Sequence, residues 1–393
     1  MERVQSSRFI VKYYEILQPN KKHHFKTIFT GKGDGYGTNI MLSFLNRNKQ
    51  KIGLDIGSSV LKEAELRPLR KGGYELVSLG IEEISPDCIV DGVIISKLPV
   101  SEAIGKIFAG QGIKNDQVMT SISGHSVIVK KIGLPVQSDE DLAESIRWEA
   151  EQYIPFDISD VNLDYQVLGE NTGTGNLDVL LVAVKKDKIT DFSSVIKMAG
   201  KTPVLVDVDA FALQNAYELN YDPSDQKTVA LLDIGANTMT INIVSGTDFL
   251  FTRDVGVGGQ QYTEFLQKEF NLNYDQAQSL KHGHKIEGLD MTEVDRVIES
   301  VTEIICLEIQ KTYDFFKSTT TVDHIDRMIV SGGVAHTKGL IEALTSKFEI
   351  PAEKFNAFQR IKYDPQKFPS SLIEDHAPDF AIAVGLALRN TEE

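Results

Sequence analysis

Leu54-Asp55-Ile56-Gly57 and Leu232-Asp233-Ile234-Gly235 are the same four residues, placed once in each half of the chain. Each closes an apolar run that reads as a buried strand. Each is followed by small polar residues, Ser58-Ser59 in one case and Ala236-Asn237-Thr238 in the other, before a second apolar run begins. Glycine in such a turn lets backbone N–H groups approach an anion with no Cβ in the way. The preceding aspartate can hold Mg²⁺ or its water shell against phosphate oxygens. One Asp-x-Gly turn signals little, because many β-turns use both residues for conformational reasons. Two in equivalent places point to a duplicated architecture whose halves clamp phosphates between them.

Outward from the first copy, strands are expected at 52–56, 60–66 and 74–79, with Lys71-Gly72-Gly73 as a turn, so an antiparallel meander opens the domain. A helix follows at 100–109, then a strand at 118–123 closed by Gly124. A strand at 127–132, an amphipathic helix at 139–153 stopped by Pro155, and strands at 165–168 and 179–184 form a compact set that reads as an inserted subdomain. A helix at 188–199, a strand at 204–208 and a helix at 210–219 lead to the polar stretch 221–226, after which the meander returns. Val255-Gly256-Val257-Gly258-Gly259 enters a helix, where backbone is expected to approach phosphate again. Val294, Val297, Ile298, Val301, Ile304, Ile305 and Ile309 have helical spacing, whose default meaning is core. A nucleotide-side role for Glu308 or Lys311 is the alternative.

At 393 residues the chain is too long for one core, and two to four subdomains are expected. No run approaches the ~18 apolar residues of a membrane helix and no secretory signal is visible, so the expected compartment is the cytoplasm. Cys88 and Cys306 are isolated, which excludes a disulfide framework or a four-cysteine metal site and leaves two buried, inert thiols as the simple reading. The net charge is −15, yet residues 1–50 carry nine Lys/Arg against three Asp/Glu, so the remainder stands at −21. A body that acidic repels nucleic acid. Residues 1–49 lack a period and contain GKGDGYG at 31–37, which reads as an extension without structure. A phosphate loop there is disfavoured, since no strand precedes it and no helix follows directly. Met41 is a plausible start, and 41–49 is a weak apolar–basic candidate for membrane contact.

GLDIGSS at 53–59 and LLDIGANT at 231–238 resemble the two phosphate motifs of the actin/Hsp70/sugar-kinase superfamily, and VSGGVAHTKGL at 330–340 is similar to its adenosine motif. VDVDAFALQNA at 206–216 and AIAVGLALR at 381–389 resemble its two connecting helices. The resemblance runs over roughly 50–390 and implies an α/β, actin-like (ribonuclease H-like, duplicated) two-domain fold. SISGHSVIVKKIGLP at 121–135, WEAEQYIPF at 148–156 and DYQVLG at 164–169 resemble the PilM family of type IV pilus assembly proteins, itself similar to FtsA, with an inserted 1C (SHS2) subdomain. The division this implies, after the extension 1–49, is 1A at 50–125, 187–226 and 376–393; 1C at 126–186; 2A at 227–258 and 325–375; and 2B at 259–324. It also implies ATP and Mg²⁺ in the cleft, and the cytoplasmic N-terminal tail of an inner-membrane PilN protein in a groove between 1A and 1C. Self-association stays open.

Carried over position by position, the resemblance implies that Gly57, Ser58, Ser59, Gly235, Ala236, Asn237, Thr238, Gly258 and Gly259 lie at the phosphates, and Gly332, Gly333 and Val334 at the base and ribose. Asp55, Asp233 and Asp209 would order Mg²⁺ through water, with Asp209 and Asp233 the catalytic candidates for a slow ATPase. Ala277-Gln278-Ser279-Leu280-Lys281 is similar to an A-E-x-x-K element at the ribose edge, with Gln278 replacing the acid; Gln278 can still accept from a hydroxyl, without charge assistance.

Trp148 and Phe156 are partner anchors on the sharp reading and core residues on the simpler one, which is preferred. Glu149 and Glu151 read as a solvated face, and His282 and His284 as loop histidines. A small-molecule kinase on the same fold needs a base over the terminal phosphate, and the insertion at 126–186 offers none. An FtsA-like filament former carries a C-terminal amphipathic helix, whereas this sequence ends Leu388-Arg-Asn-Thr-Glu-Glu393. A nucleotide-holding scaffold for a membrane partner is therefore the expected function.

Overall fold

The computed structural model describes residues 11–12, 50–171, 173–225 and 227–389. GKGDGYG and the stretch 41–49 lie outside them. Within the N-terminal extension, β1 (Val11–Lys12) forms a two-residue antiparallel ladder with Leu205 and Val206.

The first meander is β2 (Lys51–Ile56), β3 (Val60–Pro68) and β4 (Tyr74–Glu83), followed by a small ladder of β5 (Ile89–Val90) and β6 (Val93–Ile94). Helix α1 (Lys97–Gln111) and β7 (Gln117–Ile122) come next. The inserted set is β8 (Val127–Pro135), α2 (Asp139–Glu151), β9 (Val161–Asn171) and β10 (Asn176–Lys185). Then come α3 (Lys186–Met198), β11 (Thr202–Val208) and α4 (Asp209–Asn220). The second half holds β12 (Thr228–Ile234), β13 (Met239–Ser245), β14 (Asp248–Val255), α5 (Gly259–Phe270), α6 (Tyr274–Lys281) and α7 (Met291–Thr319). It closes with β15 (Arg327–Ser331), α8 (Leu340–Phe348), β16 (Ala352–Lys354), β17 (Ile361–Lys362), α9 (Ser370–His376) and α10 (Ala381–Ala387).

The strands form a seven-stranded sheet ordered β1-β11-β7-β2-β3-β4-β17 and a five-stranded sheet ordered β14-β13-β12-β15-β16. Their centres repeat one plan. β2 pairs antiparallel with β3 and parallel with β7, just as β12 pairs antiparallel with β13 and parallel with β15. The duplication read from the two Asp-x-Gly turns is thus a duplication of topology.

Between the sheets lie α4 and α10, both buried on nearly every side; α10 is apolar throughout, whereas α4 buries Gln214, Asn215 and Asn220 together with its apolar residues. They touch backbone to backbone, since a Cβ on Gly385 would stand 1.7 Å from the Ala212 carbonyl oxygen, and α10 lies as close to β2, where a Cβ on Gly53 would stand 1.9 Å from the Ala383 carbonyl oxygen. Both cysteines are buried and free.

The inserted set is its own three-stranded sheet, β8-β10-β9. Helix α2 starts where Ser138 Oγ accepts the Asp141 N–H at 3.1 Å, and it buries Leu142, Ile146 and Ala150 against Val179, Leu181 and Ala183. Trp148 was expected in that core and is instead 73% exposed. It sits two residues after Ile146, roughly 200° around the helix, on the face turned away from the sheet. Phe156 is half-buried, with Lys185 Nζ 4.4 Å from its ring centre. Leu180, Val182 and Val184, on the other face of β10, join the core of the first half.

Candidate functional site

A cleft of about 860 Å³ opens between the two halves and takes walls from both. Asp55 near the end of β2, Asp233 near the end of β12 and Asp209 at the start of α4 all line it, together with the turns Gly57-Ser58-Ser59 and Gly235-Ala236-Asn237-Thr238. The turns are tight. A Cβ on Gly57 would lie 2.7 Å from the Val60 carbonyl oxygen, and Gly235 N–H donates to Thr238 O at 2.9 Å, leaving 3.2 Å to a Cβ there.

Lys62, one strand over on β3, reaches Asp55 Oδ2 at 3.0 Å, and Ser331 Oγ donates to Asp233 Oδ1 at 2.8 Å. Burial pushes Asp209 up to about 7, helped by the nearby Asp55 carboxylate. Burial also pushes Asp233 up to about 6, although Lys62 pulls it back. For Lys62, burial works to lower the ammonium, but Asp55, Asp233 and Asp379 outweigh it and hold it above the ordinary lysine value. Asp379 shows the converse balance: burial would raise it, yet hydrogen bonds from His336 Nε2 at 3.1 Å and His376 Nδ1 at 3.0 Å hold it well below the usual carboxylate range. Lys62 is the cation in direct contact with this acid cluster, and burial raises Asp209 and Asp233 towards holding a proton more readily than free carboxylates do.

At the start of α5 the expectation needs correction. The N–H groups of Gly259 and Gln260 do not point to the cleft as anion donors; they donate to Gly235 O at 2.9 Å and Ala236 O at 2.8 Å. The orphan amides of the helix start are satisfied by the carbonyls of the second turn, which they fix in place. Gly258 serves the same contact, since a Cβ there would be 2.5 Å from both carbonyl oxygens. Gly332 stands one layer back too: its N–H donates to Pro378 O at 3.0 Å, and a Cβ would lie 2.5 Å from Ile234 O. Gly259, Gly333 and Val334 line the cleft itself.

Gln278 and Lys281 project from α6, which is started by a capping box between Asn273 and Gln276. Gln278 Nε2 donates to Tyr274 Oη at 2.7 Å, so its carbonyl oxygen remains an acceptor. Lys281 is 6% exposed, burial lowers it to about 8, and no carboxylate neutralises it among the described residues. His282 caps α6 and faces His336 with ring centres 6.3 Å apart; burial, then Lys281 and His336, lower it to about 4. Read from sequence as a loop residue, His282 in fact lines the cleft, as does His284. Glu308 and Lys311 pair with each other at 2.5 Å and do not line it.

Sequence reasoning missed Lys62, Lys188, His336, His376 and Asp379 as cleft residues. Lys62 lies in a strand of mixed apolar and charged residues, Val60-Leu61-Lys62-Glu63-Ala64, where nothing in the pattern singles it out. Lys188, His336, His376 and Asp379 come from segments up to 191 residues apart, and the fold, not their spacing in the chain, gathers them.

The comparisons with known proteins agree with this geometry. A solved chain described as "PilM-PilN type IV pilus biogenesis complex" superposes with a TM-score of 0.77 at 26% identity, covering 88% of this chain and 100% of that one. The ethanolamine utilization protein EutJ from Carboxydothermus hydrogenoformans superposes with a TM-score of 0.52 at 14% identity, over 87% of this chain and 90% of its own, a likeness of fold alone. The fold is the actin-like two-domain one. Residues 53–391 match the family described as "Type IV pilus assembly protein PilM", and over that span, nearly the whole of what is described, the chain belongs to that family.

Proposed function

We propose that this protein is an actin-like scaffold of type IV pilus assembly that holds ATP and Mg²⁺ in its cleft and binds the N-terminal tail of an inner-membrane PilN protein. The observation that carries the partner is the likeness, over the full length of that chain, to a protein solved in a PilM–PilN complex. The two turns and Lys62 would cradle the phosphates, Gln278 and Lys281 the ribose edge, and Gly333 and Val334 the base. Asp55, Asp209 and Asp233 suit a divalent cation, because the ion would supply the positive charge their cluster lacks. Among the described residues no three such side chains converge closely enough to ligate a metal directly, so Mg²⁺ would be held through water. Bound Mg²⁺ supplies charge neutralisation at the phosphates.

The subdomain division given above is part of the same proposal, with the tail docking where the three-stranded sheet meets the seven-stranded one. At that junction Ile122, Val182, Val184, Val206 and Val208 are buried against one another around a gap of only about 10 Å³, so the tail would dock along the rim of the junction and not within it. No helix among the described residues is long and apolar enough to cross a membrane, which fits attachment to the cytoplasmic side through PilN. One observation favours a second reading, phosphoryl transfer to a small acceptor: the cleft continues past Asp209 to Ile84, Ile89 and Phe192, leaving room beyond the phosphates.

Calorimetric titration with Mg-ATP, and with a peptide copying the cytoplasmic tail of the same organism's PilN, tests both halves of the proposal. Wild type is expected to bind both ligands, and Asp233→Ala to lose mainly ATP. Binding of ATP without any binding of the tail would remove the scaffold reading and leave the kinase one.

A further inference from the structure

The inserted three-stranded sheet is joined to the rest of the protein at two places, and both are wired to the cleft. The chain leaves β7 through Ser123-Gly124-His125-Ser126 and returns from β10 straight into α3. Lys188, in the first turn of α3, is 7% exposed and donates from Nζ to Ser123 O at 2.5 Å, which ties the outgoing and returning strands together. Gly92, between β5 and β6, closes over this contact; a Cβ there would be 2.9 Å from Lys188 Nζ.

The same outgoing loop is held from the opposite half. Gly124, at φ +83°, turns its N–H to Asp254 Oδ2 at 2.5 Å, and Asp254 is oriented in turn by Thr240 Oγ1, which donates to Oδ1 at 2.7 Å across the β13–β14 ladder. Ser123, Lys188, Thr240 and Asp209 all line the cleft, whereas Asp254 stands behind them. A ligand that draws the two halves together must move β13 and β14 against the loop that sets the direction of the inserted sheet.

We propose that Asp254 is a positioning residue that couples the contents of the cleft to the orientation of the inserted sheet, so that nucleotide in the cleft changes how firmly that sheet presents its docking side. The proposal rests on the nucleotide-holding reading above. Its physical content is a hydrogen bond across the cleft between two bodies, made at the hinge of one of them, where a small shift has the longest lever. A carboxylate accepting from a backbone N–H is also among the stronger hydrogen bonds available for such a tie.

The test is amide hydrogen exchange of the full chain with and without Mg-ATP, in wild type, Asp254→Ala and Asp254→Asn. In wild type, nucleotide is expected to slow exchange over 57–59 and 235–238, and also to slow the 123–127 segment by about fivefold or more, the lower end of ordinary coupling factors. In Asp254→Ala the two cleft segments should still respond while 123–127 responds less than about twofold. Asp254→Asn keeps a carbonyl for Gly124 and should restore most of the response. An unchanged 123–127 response in Asp254→Ala overturns the proposal, and so does loss of the cleft response in that variant, which would make Asp254 a support of the site itself. If wild-type cleft segments fail to respond at all, the nucleotide reading falls and this inference with it. If they respond while 123–127 does not, only the inference falls.

Discussion

Gly332 and Gly333 are neighbours in sequence, and alanine at each should fail in opposite ways. Gly332 sits at φ 81°, ψ 168°, a region that side chains with a Cβ essentially do not enter, and a Cβ there would meet Ile234 O at 2.5 Å, its carbonyl carbon at 2.8 Å and its nitrogen at 3.0 Å. The dihedral alone costs about 1–3 kcal/mol. Forcing β15 away from β12 costs a further ~1–3 kcal/mol as overpacking. Gly332→Ala should therefore lose about 4 kcal/mol, a shift of about 5 °C in the melting of the ligand-free protein for a chain of 393 residues. Gly333 has nothing within 4 Å of a built Cβ, yet lines the cleft. Gly333→Ala should leave the ligand-free protein within ~0.5 kcal/mol of wild type while weakening nucleotide roughly tenfold, because the methyl group occupies ligand space. Differential scanning fluorimetry without ligand and calorimetry with Mg-ATP separate the two quantities. Equal losses of stability in both variants would refute the assignment of one glycine to packing and the other to the site.

At the helix crossing, Gly385→Ala should destabilise by more than ~3 kcal/mol although alanine is the better helix former, whereas Gly110→Ala, in an open helical position, should gain up to ~1 kcal/mol; denaturant titration of both variants checks the sign. Glu63 is fully buried and burial raises it to about 8, so the folded state keeps a proton that the unfolded chain releases. Its contribution is present below the unfolded value near 4.5 and is lost as pH rises from there to about 8, and Glu63→Gln should therefore gain on wild type by about 2–4 kcal/mol between pH 5 and pH 8. A stability difference between the two that stays flat with pH would contradict this. Lys281→Met removes an unneutralised buried ammonium at similar length, so ligand-free stability should hold or rise while Mg-ATP affinity falls roughly tenfold; an affinity loss without that stability pattern would place Lys281 in the framework.

The amino-acid sequence by itself determined the repeated hairpin, the strand and helix order and the family, because these are written in local, periodic signals. Leu54-Asp55-Ile56-Gly57 and its copy need only their own neighbours to be read, and the spacing of Leu142, Ile146 and Ala150 gives α2 its buried face. What a residue faces across a distance left no such trace. Trp148 was misjudged because helical phase relative to the sheet, and not hydrophobicity, decides which side is covered. The glycines before α5 pointed to anion binding until the carbonyls of Gly235 and Ala236 were seen to take their helix's first amides. Only the tertiary structure brought Lys62, His336, His376 and Asp379 to one cleft and set Asp254 against Gly124, 130 residues away. The physical reason is that charge balance and hydrogen-bond satisfaction are settled among groups that burial brings together, and burial is a property of the folded chain and not of any stretch of it.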